Sequence, residues 1–300
     1  MAQKNRAGRV ALVGRPNVGK STLLNALLGE RLAIVSPKPQ TTRDRILGVL
    51  TRGRTQFVFL DTPGLHEPRT KLGRLMNAVA EETLEGSDVI VLVTDDAHGV
   101  GDVERKLLAA CGGRPVILAL NKVVRVKDKT ALLPVLQAVG AAHDFAAIVP
   151  ISARKADGLD RLLTEIEDRL PEGEHPFDAD ALTDRPVRFL VAEIVREKVL
   201  ERAWEEVPHG VAVSVESFDE DERLTRITAT VHVPKEGHKR ILVGARGSFL
   251  KSVGQAARER CEELLGRKVH LELWVRVTPD WYDRDEGLRE VGYDSDARAR

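Results

Sequence analysis

Residues 14 to 21 read Gly14-Arg15-Pro16-Asn17-Val18-Gly19-Lys20-Ser21, which matches the phosphate-binding loop pattern GxxxxGK[ST] at every fixed position. The apolar run 10–13 precedes this segment and the helix-like stretch 22–28 follows it, as a loop between a strand and a helix requires. Glycines let successive backbone N–H groups point at phosphate oxygens, and the following helix N-terminus adds positive potential. We therefore predict that residues 14–22, Thr22 included, bind a nucleoside triphosphate, with Lys20 on the β- and γ-phosphates and Ser21 on Mg²⁺.

The composition excludes several classes of protein. The chain has 300 residues, 42% of them hydrophobic, and a net charge of zero. Its longest strongly apolar runs, such as 89–93, have the length of strands, and its N-terminus lacks the apolar core of a secretory signal. Cys111 and Cys261 have neither zinc-ligand spacing nor a disulfide framework. We expect a cytoplasmic protein, in which any nucleic-acid site is a local patch of charge.

The pattern of residues 9–170 is typical of an α/β domain that follows a short N-terminal extension, 1–8. Apolar runs at 10–13, 46–50, 57–60, 89–93, 116–120 and 147–151 alternate with helix-like segments such as 159–170. Most of these runs are continuously apolar, which indicates strands buried on both faces. We predict a mostly parallel sheet with helices on both faces and its ligand site at the carboxyl ends of the strands.

Further phosphate and metal ligands are predicted at those strand ends. The turn Asp61-Thr62-Pro63-Gly64 follows the run 57–60, so Asp61 can hold Mg²⁺ through water and the Gly64 N–H can meet the γ-phosphate. Taken alone, this turn has an ordinary structural interpretation. The polar loop 36–45 contains threonines that can complete the Mg²⁺ shell only with triphosphate present, and the alternative is a plain solvated loop.

Two other strand ends carry candidate base-recognition residues. Asn121 and Lys122 follow the run 116–120, and Ser152, Ala153 and Arg154 follow the run 147–151. In this setting an asparagine can support a purine, a lysine stem can pack over the nucleotide, and the Ala153 N–H can bind a ring carbonyl.

These motifs together resemble the Era family of translation-factor-class GTPases, over residues 9 to about 293. The motifs that carry the resemblance are GRPNVGKST (14–22), KPQTTRDRI (38–46), DTPGLHEP (61–68), NKV (121–123) and SARKADG (152–158). The resemblance implies GTP hydrolysis with Mg²⁺ held by Ser21, Thr42 and Asp61, and with Lys20, Thr42 and Gly64 as catalytic residues.

Two residues bear on the rate that the resemblance implies. Leu65 follows the DTPG turn where Ras-type enzymes place a water-positioning glutamine, so we expect slow intrinsic hydrolysis. Asn17 is associated in relatives with a K⁺ ion, from which we hypothesise K⁺-stimulated hydrolysis. The alternative is that Asn17 only tolerates a tight loop conformation.

Val124 departs from the family pattern. The pattern NKxD places an aspartate there, which accepts hydrogen bonds from the guanine N1 and exocyclic amine, and valine can accept none. Asp128 lies four residues further on and can substitute only if the loop bulges. A tolerated loss, a local rearrangement and relaxed base choice all remain open from the sequence.

A second domain is predicted after a linker at 171–186, which is rich in proline and acidic residues. From 187 to 282 the order α-β-β-α-turn-α-β, with period-two strands near 211–215, 227–233 and 269–277, resembles a type II KH domain. Its GxxG loop is expected to clamp an RNA backbone, and residues 235–260 hold seven basic side chains against two acidic ones. The predicted RNA-binding residues are Lys239, Arg240, Gly244, Ala245, Arg246, Gly247, Lys251 and Arg258.

The resemblance also implies partners. They are GTP and GDP, 16S ribosomal RNA near its 3′ end, and the small ribosomal subunit, whose assembly the protein assists, and we expect a monomer. Peripheral association with a membrane surface stays open, and the polar tail from residue 283 to 300 is expected to fray. The alternatives are an RNA chaperone without turnover and a nucleotide hydrolase of relaxed specificity.

Overall fold

A computed structural model describes residues 4–36, 38, 41–65, 67–95, 100–125, 132–203 and 207–293. The chain divides into two compact units. The first comprises residues 1–35, 40–68 and 76–184, and the second comprises residues 36–39, 69–75 and 185–300.

Among the described residues, the first unit contains a six-stranded sheet in the order β2-β3-β1-β4-β5-β6. Its strands are β1 (Arg6–Val13), β2 (Ile46–Arg52), β3 (Thr55–Asp61), β4 (Val89–Asp95), β5 (Val116–Asn121) and β6 (Ala147–Pro150). The β2 strand runs antiparallel to β3, and every other pair is parallel. The helices are α1 (Lys20–Leu28), α2 (Lys71–Glu85, which belongs to this unit from residue 76 onward), α3 (Asp102–Ala109), α4 (Leu132–Gly140) and α5 (Leu159–Glu167).

The core of this unit explains why the strand sequences are continuously apolar. Strands β3, β4 and β5 are buried along their whole length. Residues of α2, α3 and α4 pack with Ile90 and Leu92 in one cluster. Helix α1 contacts β1 and helix α5 contacts β5, and neither helix belongs to that cluster. The predicted α/β fold, with a mostly parallel sheet between helices, is confirmed.

The first part of the predicted linker packs on the edge of this sheet. The backbone N–H and C=O of Phe177 both bond the Gln56 side chain, at 3.0 and 2.9 Å. The Val49 N–H donates to the Leu182 carbonyl at 2.8 Å, and the Thr183 hydroxyl donates to the Leu47 carbonyl at 2.6 Å. Residues 171–184 are therefore a strap along β2 and β3, which differs from a free connection. Without a helix or strand period, the sequence held no signal for this packing.

The second unit contains a three-stranded sheet in the order β7-β8-β9. Its strands are β7 (Ala212–Glu220), β8 (Leu224–Val233) and β9 (Lys268–Val277), with β7 antiparallel and β9 parallel to β8. Its helices α6 (Val187–Arg202), α7 (Glu236–Val243) and α8 (Ser248–Leu265) give the order α-β-β-α-α-β. Alternate residues of the strands, such as Ala229 and Val231, enter a core with Val253 of α8. The predicted KH architecture is confirmed.

The chain beyond β9 differs from the predicted frayed tail. A short helix, α9 (Asp285–Glu290), buries Leu288. Trp281 is fully buried and donates its indole N–H to the Gly210 carbonyl at 2.9 Å. The Tyr293 ring stacks on Trp281 with centroids 5.8 Å apart. A six-residue helix is too short to show a period in sequence, and residues 294–300 lie outside the described residues. Within the described ranges, the protein has no helix whose length and apolar character would let it span a membrane.

Candidate nucleotide site and nucleic-acid interface

The loop between β1 and α1 adopts a conformation that few sequences allow. Gly14 has φ 143°, Asn17 φ 64° and Gly19 φ 105°. A Cβ on Gly14 would lie 2.3 Å from the Val93 carbonyl oxygen, so only glycine fits at that position. The loop therefore curls tightly between the tip of β1 and the first residue of α1, Lys20.

Lys20 is buried at the base of this loop. Its Nζ donates to the carbonyls of Gly14 and Arg15, both at 2.9 Å. Burial lowers the pKa of Lys20 to about 8, and the charge of Asp61 opposes that shift. The loop carbonyls thus fix the ammonium in the loop where the sequence predicts phosphates.

The three predicted metal ligands lie within hydrogen-bonding reach of one another. The Ser21 hydroxyl donates to Asp61 Oδ2 at 2.6 Å, and Ser21 Oγ lies 2.9 Å from Thr42 Oγ1. The Thr42 hydroxyl reaches the same carboxylate oxygen at 3.4 Å. Residues 37, 39 and 40, which belong to the same loop as Thr42, lie outside the described residues.

Asp61 has the properties of a ligand for a hard cation. It is fully buried, and its Oδ1 has no hydrogen-bond partner among the described residues. Burial raises the pKa of Asp61 to about 6, while Lys20 and the two hydroxyls oppose the shift. A buried oxygen without a partner, beside two hydroxyls, fits the all-oxygen shell that Mg²⁺ prefers.

The DTPG turn touches the phosphate loop. A Cβ on Gly64 would lie 2.7 Å from the backbone nitrogen of Pro16, so the turn can come this close to the phosphate loop only with glycine at position 64. Thr62 and Pro63 are buried at the tip of β3, and the Thr62 hydroxyl donates to the Leu12 carbonyl at 3.0 Å. Leu65 packs against the apolar cluster that contains Leu84 and Ile90. Its half-buried side chain thus packs against the core.

Asn121 joins the phosphate loop to the candidate base loops. Its Nδ2 donates to the Val18 carbonyl at 2.9 Å. Its Oδ1 accepts from the backbone N–H groups of Lys122 at 2.8 Å and Ala153 at 3.0 Å. The structure therefore brings together residues that are more than 100 positions apart in sequence.

Lys122 and Asp95 form a second link. Lys122 Nζ donates to the Asn17 carbonyl and to Asp95 Oδ2, both at 2.8 Å. Asp95 is a site residue that the sequence analysis missed. Its signal was a carboxylate at the carboxyl end of a buried strand, the same signal that identified Asp61.

The remaining base-side residues divide into buried and exposed ones. Ser152 is buried, and its N–H donates to the Asp157 carbonyl at 2.9 Å, which holds the loop 152–157. Arg154 is exposed. Val124 is 44% exposed and lies in a single helical turn, Val123–Arg125. Asp128, its proposed substitute, lies outside the described residues.

The GxxG segment forms a tight connection between α7 and α8. Gly244, Arg246 and Gly247 have φ angles of 72°, 52° and 77°. Ala245 and Arg246 are exposed between the two glycines.

The predicted basic residues around this loop are not equivalent. Arg240 and Lys251 are exposed, and Lys239 is half-buried. Arg258 is ten residues into α8, about 15 Å along the helix from its start, and pairs with Glu262 at 3.2 Å. Its charge is thus partly compensated within the unit.

Ile241 was not predicted as a binding residue. It lies on α7 between Arg240 and the loop and is 51% exposed, among the largest exposed apolar side chains in the described residues. Exposed apolar surface beside a nucleic-acid backbone clamp suits an unstacked base. From the sequence alone, a single isoleucine within a basic segment cannot be distinguished from a residue of the core.

Comparison with known proteins agrees with both parts of this geometry. A family model described as "50S ribosome-binding GTPase" matches residues 9–122, and one described as "KH domain" matches residues 206–282. GTPase Era of Trichlorobacter lovleyi is 45% identical over 290 residues, which cover 96% of this chain and 98% of that protein. The chain belongs to the Era family of GTPases.

Other Era proteins extend the comparison. GTPase Era of Ruminiclostridium cellulolyticum is 47% identical over 96% of this chain and 97% of its own length. A crystal structure of Era in complex with MgGDPNP and nucleotides 1506–1542 of 16S ribosomal RNA has a TM-score of 0.93 and 41% identity, over 97% of this chain and 99% of that one. The crystal structure of a point variant of Aquifex aeolicus Era bound to GDP·AlF4⁻ has the same TM-score. These findings favour an Era GTPase over an RNA chaperone or a relaxed-specificity hydrolase.

Proposed function

We propose that this Era-family GTPase hydrolyses GTP with Mg²⁺, binds 16S ribosomal RNA near its 3′ end through its KH domain, and assists assembly of the small ribosomal subunit. The observation that carries the proposal is the similarity, over nearly the whole of both chains, to an Era crystallised with MgGDPNP and nucleotides 1506–1542 of that RNA. The cluster of Ser21, Thr42 and Asp61 and the exposed GxxG loop supply the matching chemistry in this chain.

The nucleotide site would work mainly by positioning and charge. The backbone N–H groups of the phosphate loop and Lys20 bind the β- and γ-phosphates, and Gly64 offers its N–H to the γ-phosphate. Ser21, Thr42 and Asp61 would hold Mg²⁺, which neutralises charge on the phosphate oxygens. Leu65 packs against the core, and an aliphatic side chain cannot orient water, so hydrolysis depends on the backbone and the ligand shell and is slow.

The test of catalysis is multiple-turnover phosphate release from GTP. We expect slow turnover in the wild type and none in Lys20→Ala, since that change removes the ammonium that meets the phosphates. Glu165→Gln, which alters the ion pair between Glu165 of α5 and Arg169, is the control and should turn over as the wild type does. Phosphate release that persists in Lys20→Ala would contradict the assignment.

The test of RNA binding uses an RNA fragment of nucleotides 1506–1542 and fluorescence anisotropy. We expect Arg246→Glu, in the GxxG loop, to weaken binding at least tenfold, because it replaces a phosphate contact by a repulsion. Arg223→Glu changes the same charge at the hairpin between β7 and β8, at the other end of β8 from α7, and should bind normally. Equal losses in both variants would refute a site at the GxxG loop.

We further propose that the triphosphate state changes RNA affinity. Support comes from Thr42, because its bonds to Ser21 and Asp61 tie its loop to the phosphate site. RNA affinity should differ between GTP-analogue and GDP states. Equal affinities, together with hydrolysis unaffected by RNA, would exclude the coupling.

We also propose that K⁺ accelerates hydrolysis at Asn17. The left-handed backbone of Asn17 and the bond from Lys122 to its carbonyl place it firmly in the phosphate loop. Rates in KCl should exceed those in NaCl at equal ionic strength, and equal rates would remove the idea.

A monomer in the cytoplasm is the form that we propose for this protein. The resemblance to Era and the ribosomal RNA target support it, and peripheral membrane association stays a prediction. Sedimentation equilibrium with and without nucleotide checks the oligomeric state, and a dimer at micromolar concentration would contradict it.

A further inference from the structure

Arg15 lies within the phosphate loop, yet its side chain binds a carboxylate on another helix. Its Nε donates to both oxygens of Glu104, at 2.7 and 3.0 Å. The Glu104 side chain is fully buried, and that of Arg15 is 28% exposed. The two residues are 89 positions apart in sequence.

Glu104 also holds the first turn of α3. Its Oε2 accepts the N–H of Gly101, the residue before that helix, at 3.0 Å. A Cβ on Gly101 would lie 2.2 Å from Arg15 Nη2, so the guanidinium passes directly over the start of α3. One buried carboxylate therefore caps a helix and receives the guanidinium of the phosphate loop.

The main chain of Arg15 completes the connection, because its carbonyl accepts one of the two bonds from Lys20 Nζ. From this arrangement we propose that Arg15 and Glu104 form a positioning pair, which fixes the start of the phosphate loop against α3 and so sets the place of Lys20. This inference rests on the proposed GTP site. It assigns Arg15 a role through the loop, in place of a direct bond from its guanidinium to a phosphate.

The burial of Glu104 argues for this role. If the guanidinium turned to a phosphate, the carboxylate would stay buried without its cation, which is a costly state. A phosphate loop anchored at Arg15 needs no such movement when nucleotide binds.

The test is a double-mutant cycle with Arg15→Ala, Glu104→Gln and the double variant in the full chain. We expect about tenfold weaker binding of fluorescent GDP and of GTP alike in each single variant, because the loop that holds the phosphates loses its anchor on α3. Single-turnover hydrolysis at saturating GTP should fall by the same factor in Arg15→Ala and in Glu104→Gln, because both changes free the loop that places Lys20. The double variant should bind no more weakly than either single variant, because both changes remove one interaction.

Two further variants keep the outcome decisive. Gly101→Ala places a methyl group 2.2 Å from Nη2, which forces the guanidinium away from its position over α3, and should weaken nucleotide binding in the same direction as Arg15→Ala. Glu165→Gln, which alters the ion pair between Glu165 of α5 and Arg169, should leave nucleotide affinity unchanged. Thermal unfolding of each nucleotide-free variant separates misfolding from a defect confined to the loop.

Several results would overturn the proposal. A tenfold lower hydrolysis rate in Arg15→Ala with unchanged GDP affinity would mean that the guanidinium acts on the phosphates. Additive losses in the double variant would mean that the two residues act separately. Loss of phosphate release in Lys20→Ala with wild-type affinity in Glu104→Gln would leave the GTP site intact and refute only the pair.

Discussion

At the scale of single residues, Val124 departs from the NKxD pattern, which has an aspartate at that position. A valine side chain accepts no hydrogen bond, so the N1–H and amino group of guanine would meet no carboxylate there. We predict that Val124→Asp binds GTP at least tenfold more tightly and ATP unchanged, since one charged hydrogen bond contributes about 1.5–3 kcal/mol.

Competition of GTP, ATP and xanthosine triphosphate against a fluorescent GDP analogue measures this effect. Val124→Leu, which adds no acceptor, is the control and should match the wild type. If Val124→Asp gains nothing for GTP, another residue reads the guanine edge in this protein.

Asp61 gives a second prediction at the same scale, for the protein without nucleotide and metal. Its pKa in the folded protein is about 6, above the ordinary value of 3.8. Between these values the folded state keeps a proton that the unfolded chain has lost, so folding stability falls as pH rises from about 4 to about 6. Asp61→Asn cannot ionise and should lack this decline.

Urea unfolding of both proteins across that pH range checks the prediction, since groups common to both cancel in the difference. The stability of Asp61→Asn relative to wild type should rise with pH and level off above about pH 6. A difference that stays constant with pH would mean that Asp61 is not protonated in the folded site.

At the scale of elements, the strap 171–184 supplies hydrogen-bond partners to β2, the edge strand, which has a neighbouring strand on one side only in the described part of the chain. Gln56 is fully buried and bonds both backbone groups of Phe177 as well as the Thr51 hydroxyl. We predict that Gln56→Ala lowers the free energy of unfolding by about 1–3 kcal/mol, because backbone groups of the strap lose their partners. Urea denaturation measures this change in the free energy of unfolding. Gln137→Ala, at an exposed position of α4, is the control and should unfold as the wild type does. Equal stabilities of the two variants would show that the strap contributes nothing.

The same elements show what a sequence can reveal. Continuous apolar runs predicted β4 and β5 closely, because strands between two layers of helices need apolar residues on both faces. Local motifs likewise singled out Lys20, Ser21 and Asp61 as candidates, and the structure places Ser21 in contact with Asp61. The pairs Arg15–Glu104 and Lys122–Asp95 were not predicted, because the two residues of each pair are far apart in sequence and only the folded sheet brings them together. The strap and α9 were not predicted either, because neither segment shows a helix or strand periodicity in its sequence.

At the scale of the whole molecule, a net charge of zero means that RNA attraction depends on a few cations. Among the predicted RNA-binding residues, Arg240, Arg246 and Lys251 are exposed cations, whereas Arg258 is paired with Glu262. For single strands, log affinity falls with log salt by about 0.7 per neutralised phosphate, so three contacts give a slope of about −2.

This slope can be measured by anisotropy with the same RNA fragment between 50 and 200 mM KCl, roughly the range over which such contacts weaken. Lys251→Ala should reduce the slope by about 0.7 and Arg258→Ala should leave it unchanged, because a cation already paired with a carboxylate releases no counterion from RNA. A slope of about −5 or steeper would require phosphate contacts well beyond this set, on another face of the protein. An unchanged slope in Lys251→Ala would remove that residue from the interface and place the contacts on Arg240 and Arg246.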